Sequence, residues 1–185
     1  MYLKSLAILA VAAYGSLSAT ATPTCENKTV IDTKDIISPT GGPTLKMTTY
    51  SCSNAVSKRE DLSAPSRLSR RADPRCTTSP CWCGLPCGPI ACRAETQAIR
   101  GNDCATIQQE MLANPNTFTI PLGDIIGFTF ESCEYTFAAT QGAQYCFTDL
   151  GSAAVNIFSV CGTGQQGSCE LTNGGLQAFI GQESF

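Results

Sequence analysis

The sequence predicts a small disulfide-rich α+β fold, a sandwich in which two helices cover one face of an antiparallel sheet. Three observations carry this expectation. The last 114 residues hold ten cysteines, about 9% of that stretch, a density typical of disulfide scaffolds. Two segments, Asn102 to Ala113 and Thr148 to Cys161, space their apolar residues at helical period. Around them lie aromatic and β-branched runs bounded by Gly, Asn and Pro turn signals, which read as strands.

The first residues serve transport. Met1 to Lys4 is a short n-region with one positive charge, Leu6 to Leu17 is an apolar h-region, and Ala19-Thr20-Ala21 supplies the small residues that a signal peptidase accepts. Residues 1–21 therefore read as an export signal cut after Ala21. The apolar run is shorter than the roughly 20 residues of a membrane span. The expectation is a secreted, extracellular protein with no transmembrane segment.

Charge then divides the chain. Residues 1–71 hold nine Lys or Arg against five acids, whereas residues 72–185 hold only Arg75, Arg93 and Arg100 against ten acids, so the net charges are +4 and −7. Two dibasic pairs, Lys58-Arg59 and Arg70-Arg71, flank a polar stretch containing Pro65 and no apolar periodicity. Such a stretch buries too little apolar surface to offset its ordering entropy, and it is accessible to a protease. The pattern resembles the junctions cut by kexin-type endoproteases, so residues 22–71 read as a propeptide. Within it, Cys25 and Cys52 are most simply paired with each other. Asn27-Lys28-Thr29 is an acceptor sequon for N-glycosylation at Asn27, Thr29-Val30-Ile31 is β-prone, and residues 38–43 form a turn rich in Pro and Gly.

The later cysteines are Cys76, Cys81, Cys83, Cys87, Cys92, Cys104, Cys133, Cys146, Cys161 and Cys169. Five bridges among ten cysteines allow about 945 connectivities, and spacing alone does not choose between them. Five of the ten crowd into Cys76 to Cys92, where three prolines and two glycines forbid a regular helix or a central strand. Residues 72–92 thus read as a stapled loop. Thiolates at short spacing also bind zinc or copper, but an exported chain without histidine favours disulfides, and no metal or other cofactor is expected.

Residues 93–185 carry the regular elements. Asn102 or Asp103 is positioned to cap a helix in which Cys104, Ile107 and Met111 share a face, and Asn114-Pro115 ends it. Phe118 to Pro121 and Ile125 to Phe137 read as strands around a turn at Gly123-Asp124. In the longer one, Phe128 and Phe130 alternate on one face while Cys133, Tyr135 and Phe137 fall on the other, which implies a bulge or bend near Glu131-Ser132. Thr148 is expected to cap the second helix, whose stripe is Leu150, Ala154, Ile157, Phe158 and Cys161, with Gly162 as its stop. A hairpin follows: Ser168 to Leu171, a turn at Asn173-Gly174, then Leu176 to Ile180. The predicted order is helix, two strands, helix, two strands.

The run Asp103-Cys104-x-x-Ile107-x-x-x-Met111, then Glu131-Ser132-Cys133-Glu134-Tyr135-x-Phe137, then the Asp149-Leu150 helix and a cysteine-bearing hairpin, resembles the layout of fungal secreted cysteine-rich effectors. Within that class it resembles the necrosis-inducing extracellular effector family, with the killer toxins of smut fungi as a second, similar α/β sandwich. The likeness spans about residues 92–181 and implies a non-catalytic protein that acts on a host or competitor surface. The chain departs from each group: the effector family's Trp near the C-terminal strand is missing, since the only Trp is Trp82 in the N-terminal loop, and the basic residues of the killer toxins are missing, since no Lys follows Arg71.

Composition narrows the function classes. Without histidine, Ser-His and Cys-His nucleophilic catalysis is excluded, and paired carboxylates are what remains for hydrolysis, with Asp124, Glu131 and Glu134 the closest cluster. Acidic side chains on strands and turns are mostly solvated, so no catalytic residue is assigned. A net charge of −7 would repel phosphates, so no nucleic-acid partner is expected. Trp82, Leu85, Pro86 and Ile90 form the candidate binding tip for an extracellular protein. The alternative is a cell-wall or matrix component that holds glycan through Trp82 and Tyr145.

Overall fold

The computed structural model describes residues 28–52, 73–94, 99–139, 142–172 and 176–184. The expected signal peptide with its Ala21 cut, Cys25, Asn27, both dibasic pairs and the Asn173-Gly174 turn lie outside them. In chain order the elements are β1 (Lys28–Ile36), β2 (Leu45–Cys52), β3 (Cys81–Trp82), β4 (Cys87–Ala94), α1 (Gly101–Ala113), β5 (Thr117–Ile120), β6 (Asp124–Phe130), β7 (Cys133–Ala139), β8 (Ala143–Cys146), α2 (Phe147–Cys161), β9 (Gln165–Thr172) and β10 (Leu176–Ser184). Seven strands form one sheet in the order β1-β2-β6-β7-β10-β9-β4, and three form a second in the order β3-β8-β5. Every pairing is antiparallel except β3 with β8. Two helices with a mostly antiparallel sheet make this an α+β fold, as expected. Four strands, however, separate the helices where two were predicted.

The face switch at Glu131-Ser132 is a hairpin turn and not a bulge. Phe130 pairs with Cys133, Phe128 with Tyr135 and Ile126 with Phe137, so these six residues share a face. All but Phe130 are buried. The two-residue turn places Glu131 at φ 48°, a conformation that side-chain-bearing residues seldom adopt. The turn is fastened from α1: Asp103 Oδ2 accepts from Ser132 N at 3.1 Å and from Ser132 Oγ at 2.7 Å, and Cys104 is bridged to Cys133. This use of Asp103 corrects the cap expectation. Helix α1 starts at Gly101 after an extended Arg100, and no side chain caps it. The Ser132 bonds hold the Asp103 carboxyl below its ordinary pKa.

Helix α2 likewise begins one residue before Thr148, with Cys146 at the N-cap position and no side-chain cap. Thr148 Oγ1 instead accepts from Arg75 Nη1 at 2.8 Å. Gly162 ends the helix as predicted, at φ 68° with its N–H donating to Phe158 O at 2.9 Å. Helix α1 packs on β6 and β7, α2 on β4, β9 and β10, and the helices pack on each other. Between them runs a buried polar chain. Gln108 Nε2 donates to Tyr135 Oη at 2.7 Å, Tyr135 Oη to Gln182 Oε1 at 3.0 Å, and Gln182 Nε2 to Gly162 O at 3.0 Å. Aromatic rings fill the space toward the smaller sheet, where Phe118 meets Phe128 and Phe137 edge-on at 5.5 Å.

The segment that precedes the dibasic pairs belongs to the main sheet. Strand β2 pairs with β6 from Lys46↔Thr129 to Ser51↔Asp124, and β1 pairs with β2 as the outermost strand. Leu45 and Met47 are core residues, 2% and 4% exposed. The sequence boundaries set residues 22–71 apart from residues 93–185, but one sheet joins them. Residues 72–92 also contribute strands, both at sheet edges: β3 beside β8 and β4 beside β9. Pro89 sits where the β4–β9 register shifts, a place where its missing N–H costs little.

Candidate functional site

Five bridges join the ten later cysteines, and their pattern shows how the stapled loop is held. Cys76–Cys81 closes a short turn inside it, while Cys83–Cys146, Cys87–Cys169 and Cys92–Cys161 tie it to β8, β9 and α2. Hydrogen bonds repeat the attachment. Gln144 Oε1 accepts from Thr77 N and Thr78 N, both at 2.9 Å, and Gln144 Nε2 donates to Thr77 Oγ1 at 2.8 Å. Asp149, in the first turn of α2, accepts from Leu85 N at 3.1 Å. Burial pushes the Asp149 carboxyl above its ordinary pKa, opposed by the Leu85 and Gly84 N–H groups and by Arg75. Arg75 meets Asp73 through Nη2 to Oδ2 at 2.7 Å and Nε to Oδ1 at 2.8 Å.

The four residues of the expected binding tip separate in the structure. Pro86 is exposed, whereas Leu85 is 6% exposed and belongs to the core. Trp82 and Ile90 are half-buried and pack against that core. Leu85 is thus corrected from contact residue to packing residue: its side chain joins the core cluster, and its N–H bonds to Asp149. Trp82 Nε1 is buried without a hydrogen-bond partner among the described residues. Tyr145, named for glycan stacking, is 1% exposed and lies tilted or edge-on to Phe118 and Phe137, so it offers no ring face to a sugar.

The carboxylate trio is also dispersed. Glu134 pairs with Thr129 in the β6–β7 register, and Asp124 lies five residues further along β6, about 17 Å at the rise of a strand. Carboxyl pairs that hydrolyse glycosides stand about 5–10 Å apart. Glu131 is exposed at the turn. What Glu134 meets is a cluster from four strands that the sequence did not reveal. Tyr50 Oη on β2 donates to Glu134 Oε1 at 3.1 Å, and Glu183 on β10 stands opposite Glu134. Lys28 Nζ on β1 reaches Glu183 Oε2 at 3.3 Å and lies 5.5 Å from the centre of the Tyr50 ring. Burial raises the Glu134 pKa, Lys28 and Tyr50 oppose this, and Glu183 adds to it. Tyr50 is pushed up to about 12 by burial and by Glu134. The arrangement can hold a proton on a sheltered carboxyl. Gly127 was the available signal: a side chain there would strike both the Glu134 carboxyl and the Tyr50 ring.

Among the described residues, two groups have ligand atoms close enough together for a metal ion, Cys76 with Cys81 and Cys83, and Asp73 with Cys83 and Cys146. Their sulfurs are all in disulfides and offer no thiolate. Among the described residues no helix is long and apolar enough to cross a membrane. A scan of family models and a search of curated proteins find no match to this chain.

Proposed function

We propose that this is a secreted, cysteine-rich effector or toxin-like protein that acts by binding outside the cell and not by catalysis. The observation that carries the reading is the triple tethering of the Cys76–Cys92 loop to β8, β9 and α2. Bridges of this number form and persist in oxidising surroundings, in keeping with the export signal. They also fix the loop before any partner arrives, so little conformational entropy is lost on binding. We further read the scaffold as a sandwich with both helices on one sheet face, supported by Tyr135 Oη, which lies within bonding distance of Gln108 on α1 and Ala154 O on α2.

The contact surface in this reading centres on exposed Pro86, with the half-buried Trp82 and Ile90 of the same loop as further candidates. The test is saturable binding of the labelled, folded protein to host or competitor cells. Pro86→Glu should weaken that binding at least about tenfold, the loss expected when a charge enters the centre of an interface, while its melting temperature stays close to the parent's. Equal binding by the variant would remove the loop as the site. Capture on insoluble chitin or glucan, with no cell-dependent component, would favour a wall-bound role. Trp82→Ala is a poorer probe because it also disturbs core packing.

A further inference from the structure

We propose that cleavage at the dibasic pairs does not discard the N-terminal segment but converts the protein into two chains, with the β1–β2 hairpin kept in place without a covalent link. This goes beyond the binding role and does not depend on it. Removing the hairpin would uncover β6, Asp-Ile-Ile-Gly-Phe-Thr-Phe, as a free sheet edge. An apolar, β-prone edge without Lys or Pro invites pairing with other chains. The hairpin replaces that edge with β1, which carries Lys28, Asp32, Lys34 and Asp35 and has a register irregularity between Val30 and Asp32. Charges and irregularities of this kind are how sheets block further pairing.

The hairpin is engaged along its whole length. Strand β2 hydrogen-bonds along β6, and Leu45 and Met47 enter the core, Met47 opposite Phe128. On the other face Tyr50 bonds to Glu134, and Lys28 to Glu183. At the β1–β2 connection, a side chain on Gly42 would meet the Glu110 carboxylate of α1, so the turn lies against that helix. No disulfide joins the two parts. All ten cysteines from Cys76 onward pair among themselves, so the bridge made by Cys52 goes to none of them.

The test uses the intact folded protein and a kexin-type endoprotease. After cleavage, native mass spectrometry and size exclusion should show one species containing both chains, and denaturing electrophoresis without reductant should separate them. A native mass equal to the later chain alone would overturn the proposal. So would chains that stay joined in denaturant until reduced, or a folded protein that resists the protease at both pairs. Met47→Asp should release the hairpin after cleavage. Should that variant not fold, dilution of the cleaved parent protein settles the matter: the chains should stay together at about 1 μM, and separation there counts against the proposal.

Discussion

Replacing Met47 by alanine should destabilise the whole protein, and the size of the effect measures how far residues 28–52 belong to the fold. Met47 is 4% exposed, sits in the core cluster and pairs with the fully buried Phe128. Truncating a side chain so placed leaves a cavity and costs about 2–5 kcal/mol. A chain of this length loses about 2–4 °C of melting temperature per kcal/mol, so the expected fall is about 4–20 °C. Were the segment an attached leader with no structural part, the change would stay within about 0.5 kcal/mol. Val30→Ala is the control, since Val30 is 58% exposed on the outer strand of the same hairpin. The assay is thermal unfolding followed by circular dichroism with all bridges intact. A Met47→Ala melt no lower than that of Val30→Ala would refute the reasoning and, with it, the case for retention of the hairpin.

Glu134→Gln should flatten the pH dependence of stability. The folded protein holds the Glu134 proton more tightly than the unfolded chain does, so this residue's contribution falls as pH rises from about 4.5 through the raised folded value. The groups facing it are Tyr50 and Lys46 from β2, Lys28 from β1 and Glu183 from β10, and identical stability profiles for parent and variant between pH 4 and 8 would contradict the assignment. Tyr135→Phe should cost about 1–3 kcal/mol, because it leaves the amides of Gln108 and Gln182 short of a partner inside the core. Urea unfolding measures this through a lower midpoint at unchanged slope, and an unchanged midpoint would show that the two glutamines rearrange to satisfy each other.

Both helices and several strands were legible in the sequence, whereas β2, β4 and β8 were not, and much of what escaped it depended on distant partners. Periodicity located both helix bodies and the Gly162 stop, but both expected caps failed because Asp103 and Thr148 spend their oxygens on Ser132 and Arg75. The face switch between Phe130 and Cys133 has the same parity in a bulge and in a hairpin with a two-residue turn. Glu131-Ser132 lacks the Gly, Asn or Asp that ordinarily marks such a turn. In the folded chain, the Asp103 clamp and the Cys104–Cys133 bridge do what those residues would do, and both come from a helix that precedes the turn by two strands. The candidate loop is legible as stapled, yet the burial of Leu85 is not, because it depends on packing into a core that distant residues supply.

The same non-locality explains why charge and dibasic spacing do not reveal the pairing of the N-terminal hairpin with the main sheet. A protease reads a few residues of accessible chain, and that information is local. Whether a segment severed there would leave is decided by β2 against β6, whose paired residues lie 73 to 83 positions apart. Alternation within β2 gave a hint: Leu45, Met47 and Thr49 fall on one face, Lys46, Thr48 and Tyr50 on the other, and both faces carry buried residues. A strand sheltered on both faces is covered on each by other parts of the protein, so detaching it would expose apolar surface on both sides. Cleavage and detachment are therefore separate questions for this chain: the first is an expectation from its basic pairs, and the second turns on the burial of Leu45, Met47 and Tyr50.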